Sequence, residues 1–415
     1  MLHLTAEETA WLAGDAGPAV KRAMEIVVAL GRIYGAEYLV PVESVQISGV
    51  SYRNIGDAGL DFLRRWADEG ARVRVPTTLN PTAMDMADWA AQGFTDEFAE
   101  KQAAVVEAFV RMGVGEGDPT PTCTPYLIGN RPSPGAHVAW AESSAVAFAN
   151  SVLGARTNRE GGPGAIAAAL TGRTGAYGLH LDAARLPTHR VEVAVPLEEI
   201  SDYSALGAIV GRYASQGVPT FEGLPLTRAG VQGRDPLWEE KLKALGAAMA
   251  ATGAVALFHA EGVTPEASAP PDGADALVIC DLAPGYAALS DPVTGIDLVW
   301  IGCPHASLRE LALVAERVRG KALRIPLWVT CARPVRSLAV EQGLVDVIEA
   351  AGGKVFADAC LAIAPVRDLG FTAVATPSAK GATYLRNLAR VAARFGSLSA
   401  CVEAAVTGRW PGEGP

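Results

Sequence analysis

Three cysteines stand where thiols far apart in sequence can meet. Cys303 follows the apolar run Leu298-Val299-Trp300-Ile301, Cys331 follows Leu327-Trp328-Val329-Thr330, and Cys360 closes Val355-Phe356-Ala357-Asp358-Ala359. Each run reads as a buried strand, and their spacing of about 30 residues is that of one βα unit. Parallel strands of an open α/β sheet bring their carboxyl ends to one rim, where ligands bind. The chemistry on offer is a thiolate metal centre. Cys123 adds a fourth thiol in the loop Pro121-Thr122-Cys123-Thr124-Pro125-Tyr126, which its prolines hold away from regular structure. Cys280 follows another strand-like run, and Cys401 lies in an alanine-rich helix as a small buried hydrophobe. For any one of these cysteines taken alone, inert core is the simpler reading. No C-x-x-C pair occurs, so the usual structural-zinc spacing is missing.

Other polar groups fall at similar junctions. His305, in Gly302-Cys303-Pro304-His305, sits at a strand-to-helix turn and faces the rim or caps the next helix. Asn158-Arg159 precedes Glu160-Gly161-Gly162-Pro163: a guanidinium fork suits a carboxylate or phosphate, and glycines allow backbone to approach a ligand. An exposed surface loop is the equal alternative. Ser48-Gly49-Val50-Ser51-Tyr52 ends a strand and opens a helix, where backbone N–H groups can hold an anion. Thr376-Pro377-Ser378-Ala379-Lys380-Gly381 is a like junction with one lysine.

The elements that must position these residues are set by pattern. Thr5 with Glu8 is a capping box, and Pro18 opens a helix whose Val20, Met24, Val27, Val28, Leu30 and Ile33 have helical spacing. Extended segments at residues 38–42 and 45–48, an amphipathic helix from Ile55 to Trp66 ending at Gly70, and a strand Val73-Arg74-Val75-Pro76 make a βαβ unit. A change of register near Pro196 introduces strands alternating with Ala- and Leu-rich helices. The expected class is α/β with largely parallel sheets.

Half of the 415 residues are hydrophobic and 19% are charged, enough for a substantial core in two or three subdomains. A net charge of −10 argues against a nucleic-acid partner. The most apolar run, residues 244–259, is broken by Gly246 and Gly253 and is too short to span a membrane. The N-terminus lacks the regions of a signal peptide, so a cytoplasmic protein without a disulfide framework is expected.

Taken together, several of these segments resemble one family. They are Ser48-Gly49-Val50-Ser51-Tyr52 with Asn54-Ile55-Gly56-Asp57, Thr77-Thr78-Leu79-Asn80, the Cys123 loop, Trp140-Ala141-Glu142-Ser143-Ser144-Ala145, Asn150 through Gly162, His259 with Gly262-Val263-Thr264-Pro265-Glu266, and Gly302-Cys303-Pro304-His305. In this order, over nearly the whole chain, they resemble the catalytic large subunit of aconitase X, the divergent branch of the aconitase superfamily.

That resemblance implies an aconitase-like fold of several three-layer α/β subdomains with largely parallel sheets around a central cleft. The expected division is 1–195, carrying the Ser48–Tyr52, Cys123 and Asn158–Arg159 loops; 196–290; 291–407, carrying Cys303 and Cys360; and a flexible tail 408–415. It implies an iron–sulfur cluster of uncertain nuclearity on Cys123, Cys303 and Cys360, with Cys331 a neighbour, and a hydro-lyase acting on a small hydroxy acid. It further implies a small swivel-domain partner subunit. The first expectation is dehydration of cis-3-hydroxy-L-proline to Δ1-pyrroline-2-carboxylate, because few basic residues stand in the matching motifs; the alternative is mevalonate 5-phosphate. A non-catalytic, zinc-stabilised binding subunit is the reading from another class. Ser48, Gly49, Ser51, Asn80, Asn158, Arg159 and Glu160 are expected to bind substrate, and Lys380, Ser378 and His305 to act in catalysis. The base that removes the α-proton is expected in this chain or in the partner.

Overall fold

The computed structural model of the protein describes residues 2–411 apart from 118, 227–234, 271, 272, 275 and 294. The last residues of the expected tail, 412–415, lie outside the described ones, and Gly408 before them is the left-handed cap of the helix Leu398–Thr407.

Three all-parallel sheets carry the fold. In the first, Val45–Ile47 lies between Thr77–Leu79 and Ala139–Trp140. The second runs His259–Ala260, Pro219–Glu222, His189–Val193, Ala276–Ile279. The third runs Lys354–Ala357, Leu327–Cys331, Leu298–Ile301, Ala373–Thr376, Ala392–Phe395. A short antiparallel ribbon joins Leu39–Pro41 to Arg173–Gly175. Parallel strands are covered by helices on both faces and therefore read as continuous apolar runs. Every residue of Leu298–Ile301, Leu327–Cys331 and Ala373–Thr376 is buried.

The third sheet starts at its centre. The chain builds outward from Leu298–Ile301 to one edge, then returns to place Ala373–Thr376 on the other side of that strand. The crevice at such a reversal is where open α/β sheets bind ligands. Cys303 comes after one strand at the reversal and Lys380 after the other.

The capping box at Thr5 and Glu8 and the proline start at Pro18 form as expected. The helix expected from Ile55 runs over Tyr52–Asp68, and it connects parallel strands. The strand expected at 73–76 does not form a ladder there. Pro76 has no N–H to give, and pairing begins only at Thr77. No helix among the described residues is long and apolar enough to cross a membrane.

Candidate active site

A cavity of about 610 Å³ opens between the first and third sheets, and Cys123, Cys303 and Cys360 all line it. The backbone that carries them is held from several directions. Gly302 leaves its strand at φ 112°, and a Cβ there would stand 2.0 Å from the Thr330 carbonyl oxygen, so only glycine lets Cys303 turn in at this point. The Cys123 loop is tied to the first sheet by Thr122 N–H to the Leu79 carbonyl at 2.8 Å and by Gln46 Nε2 to the Thr122 carbonyl at 2.8 Å. The Cys360 loop is tied to the first sheet's side by Cys360 N–H to the Thr82 carbonyl and Thr82 N–H to the Asp358 carbonyl, both 2.9 Å. Behind it, buried Asp85 accepts from Ala357 N–H and from Arg333, which also pairs with Asp358. The Arg53 guanidinium is taken up by the Ala364 carbonyl.

His305 joins all three cysteine loops. Its backbone N–H donates to Cys123 Sγ at 3.1 Å, its Nδ1 lies 3.0 Å from Thr122 Oγ1, and its Nε2 lies 2.9 Å from the Ala359 carbonyl. A carbonyl only accepts, so Nε2 carries the proton and Nδ1 accepts from the threonine hydroxyl. Burial pushes the imidazole down to about 4, keeping it neutral. The expected catalytic role does not suit this geometry: both ring nitrogens are committed, and His305 positions the thiols.

The thiols differ in ionisation. Burial pushes Cys123 up to about 12. Proximity of the two thiols holds Cys360 below its ordinary range and, with burial, holds the proton of Cys303 well above its own. Among the described residues no three of His, Cys, Asp or Glu meet closely enough to hold a single ion. A cluster asks something else of its donors, since each thiolate takes a different iron and the sulfurs must surround the group rather than converge. Three thiols lining one cavity, beside a buried cation, supply the donor chemistry for such a group. Cys331 belongs to the core on the other side of the third sheet, Cys401 is likewise buried in core, and Cys280 is exposed.

The buried cation is Lys380. It pairs with Glu142 and lies 3.1 Å from Ser144 Oγ. Glu142 caps the helix Ser143–Phe148, accepting from Ala145 N–H at 2.8 Å. Burial works against both charges, yet Lys380 holds Glu142 below the usual carboxylate range, and Glu142 with the neighbouring thiols holds Lys380 well above that of a free amine. Lys380 therefore stays charged and supplies no base. Ser378 also departs from its expected role: its hydroxyl accepts from Gly381 N–H at 2.8 Å as a helix cap, and it lines a second cavity behind Cys303.

A second set of residues lining the same cavity is Ser48, Asn80, Arg159, Glu160 and Gly161. The helix Gly162–Thr171 begins here, and a Cβ on Gly162 would stand 3.2 Å from the Ser48 carbonyl oxygen, so glycine lets the two loops close on one another. The first-turn N–H groups of a helix have no partners within it and attract anions. The Arg159 guanidinium makes no hydrogen bond or ion pair among the described residues, and Asn80 Oδ1 is buried without a partner. Glu160 accepts one hydrogen bond, from Thr174 Oγ1 at 3.2 Å, and burial pushes its carboxyl up to about 7. Gly49, Ser51 and Asn158 do not line the cavity. Gly49 makes the turn at φ 83°, Ser51 is buried before the helix Tyr52–Asp68, and Asn158 braces its loop through Tyr177 and Leu179.

Sequence reasoning assigned no role to Glu142, although a lone lysine in an apolar stretch signals a buried partner somewhere. It also singled out His259 and Glu266. These hold the buried Arg185 at a joint away from the cavity, His259 by donating Nε2–H to its carbonyl and Glu266 by ion pair.

Comparison with known proteins agrees along the chain. Family models described as the first, second and third domains of aconitase X match residues 1–183, 187–279 and 296–407. The phosphomevalonate dehydratase large subunit of Methanothermobacter thermautotrophicus is 48% identical over 92% of this chain and 94% of its own length, and that of Thermococcus kodakarensis 46% over 93% and 95%. The cis-3-hydroxy-L-proline dehydratase of Pseudomonas aeruginosa is 37% identical over 99% of this chain but 71% of its own length. The crystal structure of Thermococcus kodakaraensis aconitase X in its holo-form superposes with a TM-score of 0.88 at 44% identity, covering 97% of this chain and all of that one.

Proposed function

The chain belongs to the aconitase X family and is a hydro-lyase, and from that premise we propose that it dehydrates mevalonate 5-phosphate as the cytoplasmic large subunit of a two-subunit enzyme. Membership sets aside the non-catalytic, zinc-stabilised reading. The observation that carries the proposal is that one cavity is lined both by three thiols and by an anion-attracting set, with an unpaired Arg159 and a helix terminus in the latter. The scarcity of basic side chains favoured hydroxyproline in the sequence. The helix Gly162–Thr171 removes that reason, because its N–H groups offer a phosphate donors without a basic side chain. Greater identity to the phosphomevalonate dehydratase subunits, and a span that matches their length, support the same choice. Hydroxyproline is the second reading, favoured by the 37% relative that covers nearly all of this chain.

In the reaction a C–H bond next to the carboxylate breaks, the C–O bond to the hydroxyl breaks, a carbon–carbon double bond forms and water leaves. Cys123, Cys303 and Cys360 are the residues that would hold an iron–sulfur cluster, and the chemistry such a group supplies when bound is Lewis-acid weakening of a carbon–oxygen bond. Lys380 places fixed positive charge beside the thiolates and the charge that develops at the reacting carbons. Arg159 and the helix terminus orient the anionic group. The Glu142 carboxylate is committed to Lys380, so the base that takes the proton is assigned to the small partner subunit.

The test is anaerobic turnover of this chain with its small partner, offered mevalonate 5-phosphate and cis-3-hydroxy-L-proline side by side. Consumption of the phosphate alone supports the proposal. Turnover of the proline alone transfers the reading to the second substrate.

A further inference from the structure

Two glutamates among the residues lining the cavity have carboxyl groups in opposite surroundings. Glu142 is compensated several times over, by Lys380, Ser144 and a backbone N–H. Glu160 is 6% exposed and has only the Thr174 hydroxyl. Among the described residues the elements packed around it pair no cation with it, and Arg173, next to Thr174, is paired with Glu7 and Glu8. The helix Pro18–Ile33 presents Leu30, the strand Ala139–Trp140 accepts the Glu160 N–H at its Trp140 carbonyl, and Tyr177, beyond the strand Arg173–Gly175, has its phenol held up by burial and by Glu160. The other charges of the cavity are Arg159, on the same loop and bonded to no described residue, and the Glu142–Lys380 pair, whose charges cancel.

A buried carboxyl with one hydroxyl partner and no cation favours its neutral form. Its place matters as much as its burial. Glu160 lies between Arg159 and the first turn of the helix Gly162–Thr171, and its Oε2 lies close to Gly164 of that turn, 3.2 Å from where a Cβ would be. An ionised carboxylate there would repel what those two features attract. We propose that Glu160 is a specificity-determining residue that works as a neutral carboxylic acid, donating a hydrogen bond to the anionic group of the substrate held beside Arg159. The inference rests on the site reading above and deepens it. Anion binding then requires a proton on Glu160.

Burial places that proton's loss at about 7 in the free protein. Affinity is full below this value and falls as pH rises through it, by at most roughly tenfold per pH unit. The second ionisation of a phosphomonoester, near 6, precedes this fall. With the two-subunit enzyme, KM for mevalonate 5-phosphate should rise roughly tenfold between pH 7 and pH 8.5. Glu160→Ala should raise KM already at pH 6.5, and Glu160→Gln, which keeps a neutral donor, should restore it there and hold it level to pH 8.5. A measurement independent of turnover uses inorganic phosphate: added at pH 8, it should bring up a protonated-carboxyl infrared band in the wild-type complex that Glu160→Gln lacks. A level wild-type KM, no phosphate-induced band, or a Glu160→Gln variant that loses kcat while KM stands still would overturn the assignment. The band without any turnover of mevalonate 5-phosphate upholds Glu160 and defeats only the substrate reading.

Discussion

The two sets of residues that line the cavity, the thiol end and the anion end of the proposed reaction, are built on different principles. Around the thiols the charged and imidazole groups are paired: His305 uses its backbone and both ring nitrogens, Glu142 and Lys380 neutralise one another, and Asp85 braces the Cys360 loop from behind, while the Tyr126 hydroxyl and Gln46 Oε1 are buried without a partner behind the Cys123 loop. At the anion end Arg159 is unpaired, Asn80 Oδ1 is buried without a partner and Glu160 has a single weak one. An unsatisfied buried polar group costs stability, and Asn80 Oδ1 is such an atom on a residue that lines the cavity together with the exposed, unpaired Arg159, so a ligand bound there would complete the hydrogen bonding. The satisfied end marks what must not move.

That contrast predicts different losses at the two ends. Cys303→Ala should have the largest effect, lowering iron and acid-labile sulfide content together with turnover, the latter on the order of a thousandfold or more if a Lewis acid supplies several kcal/mol; full iron content with normal turnover would remove Cys303 from the ligand set. Lys380→Met leaves Glu142 buried and uncompensated, and should destabilise the fold by about 3–5 kcal/mol in chemical denaturation. His305→Ala leaves the Ala359 carbonyl without the imidazole donor, at about 1–3 kcal/mol for a buried group left unpaired, while Thr122 Oγ1 keeps Thr124; unlike the loss of a catalytic histidine, it should leave the shape of the pH–rate profile unaltered. Arg159→Lys should spare stability and raise KM roughly tenfold or more through loss of the planar fork. An unchanged KM would blur the distinction between the two ends. Arg111→Ala, breaking an exposed pair with Asp68 far from both ends, should cost less than about 1 kcal/mol and serves as the baseline.

The placement of Cys303 and Cys360 was legible from sequence because strand ends are encoded locally, whereas Cys331, read by the same signal, is the last residue of its strand and points into the core on the other side of the sheet. A run such as Leu298–Ile301 is apolar because it is covered on both faces, and the residues just past its end must emerge at the rim. Partnerships across the fold were not legible. Lys380 and Glu142 lie on different sheets' helices, and nothing near either names the other. His305 was read by its type, whereas its role depends on Thr122 and Ala359, brought to it only by tertiary structure. Asn158 failed for the same reason, its amide spent on Tyr177 and Leu179. The strand expected at 73–76 shows alternation outvoted by one missing N–H, at Pro76.

The His305 junction also imposes an order in time. Cys123 leaves the ribosome long before His305 can donate to it, and the Ala359 carbonyl that closes the third contact emerges later still, after two further strands of the third sheet. Domains fold as units as they emerge, N-terminal first, so the first sheet can stand complete while its cysteine waits. The thiol set is among the last features of the molecule to assemble, and its three members line one cavity only once synthesis has passed the Cys360 loop.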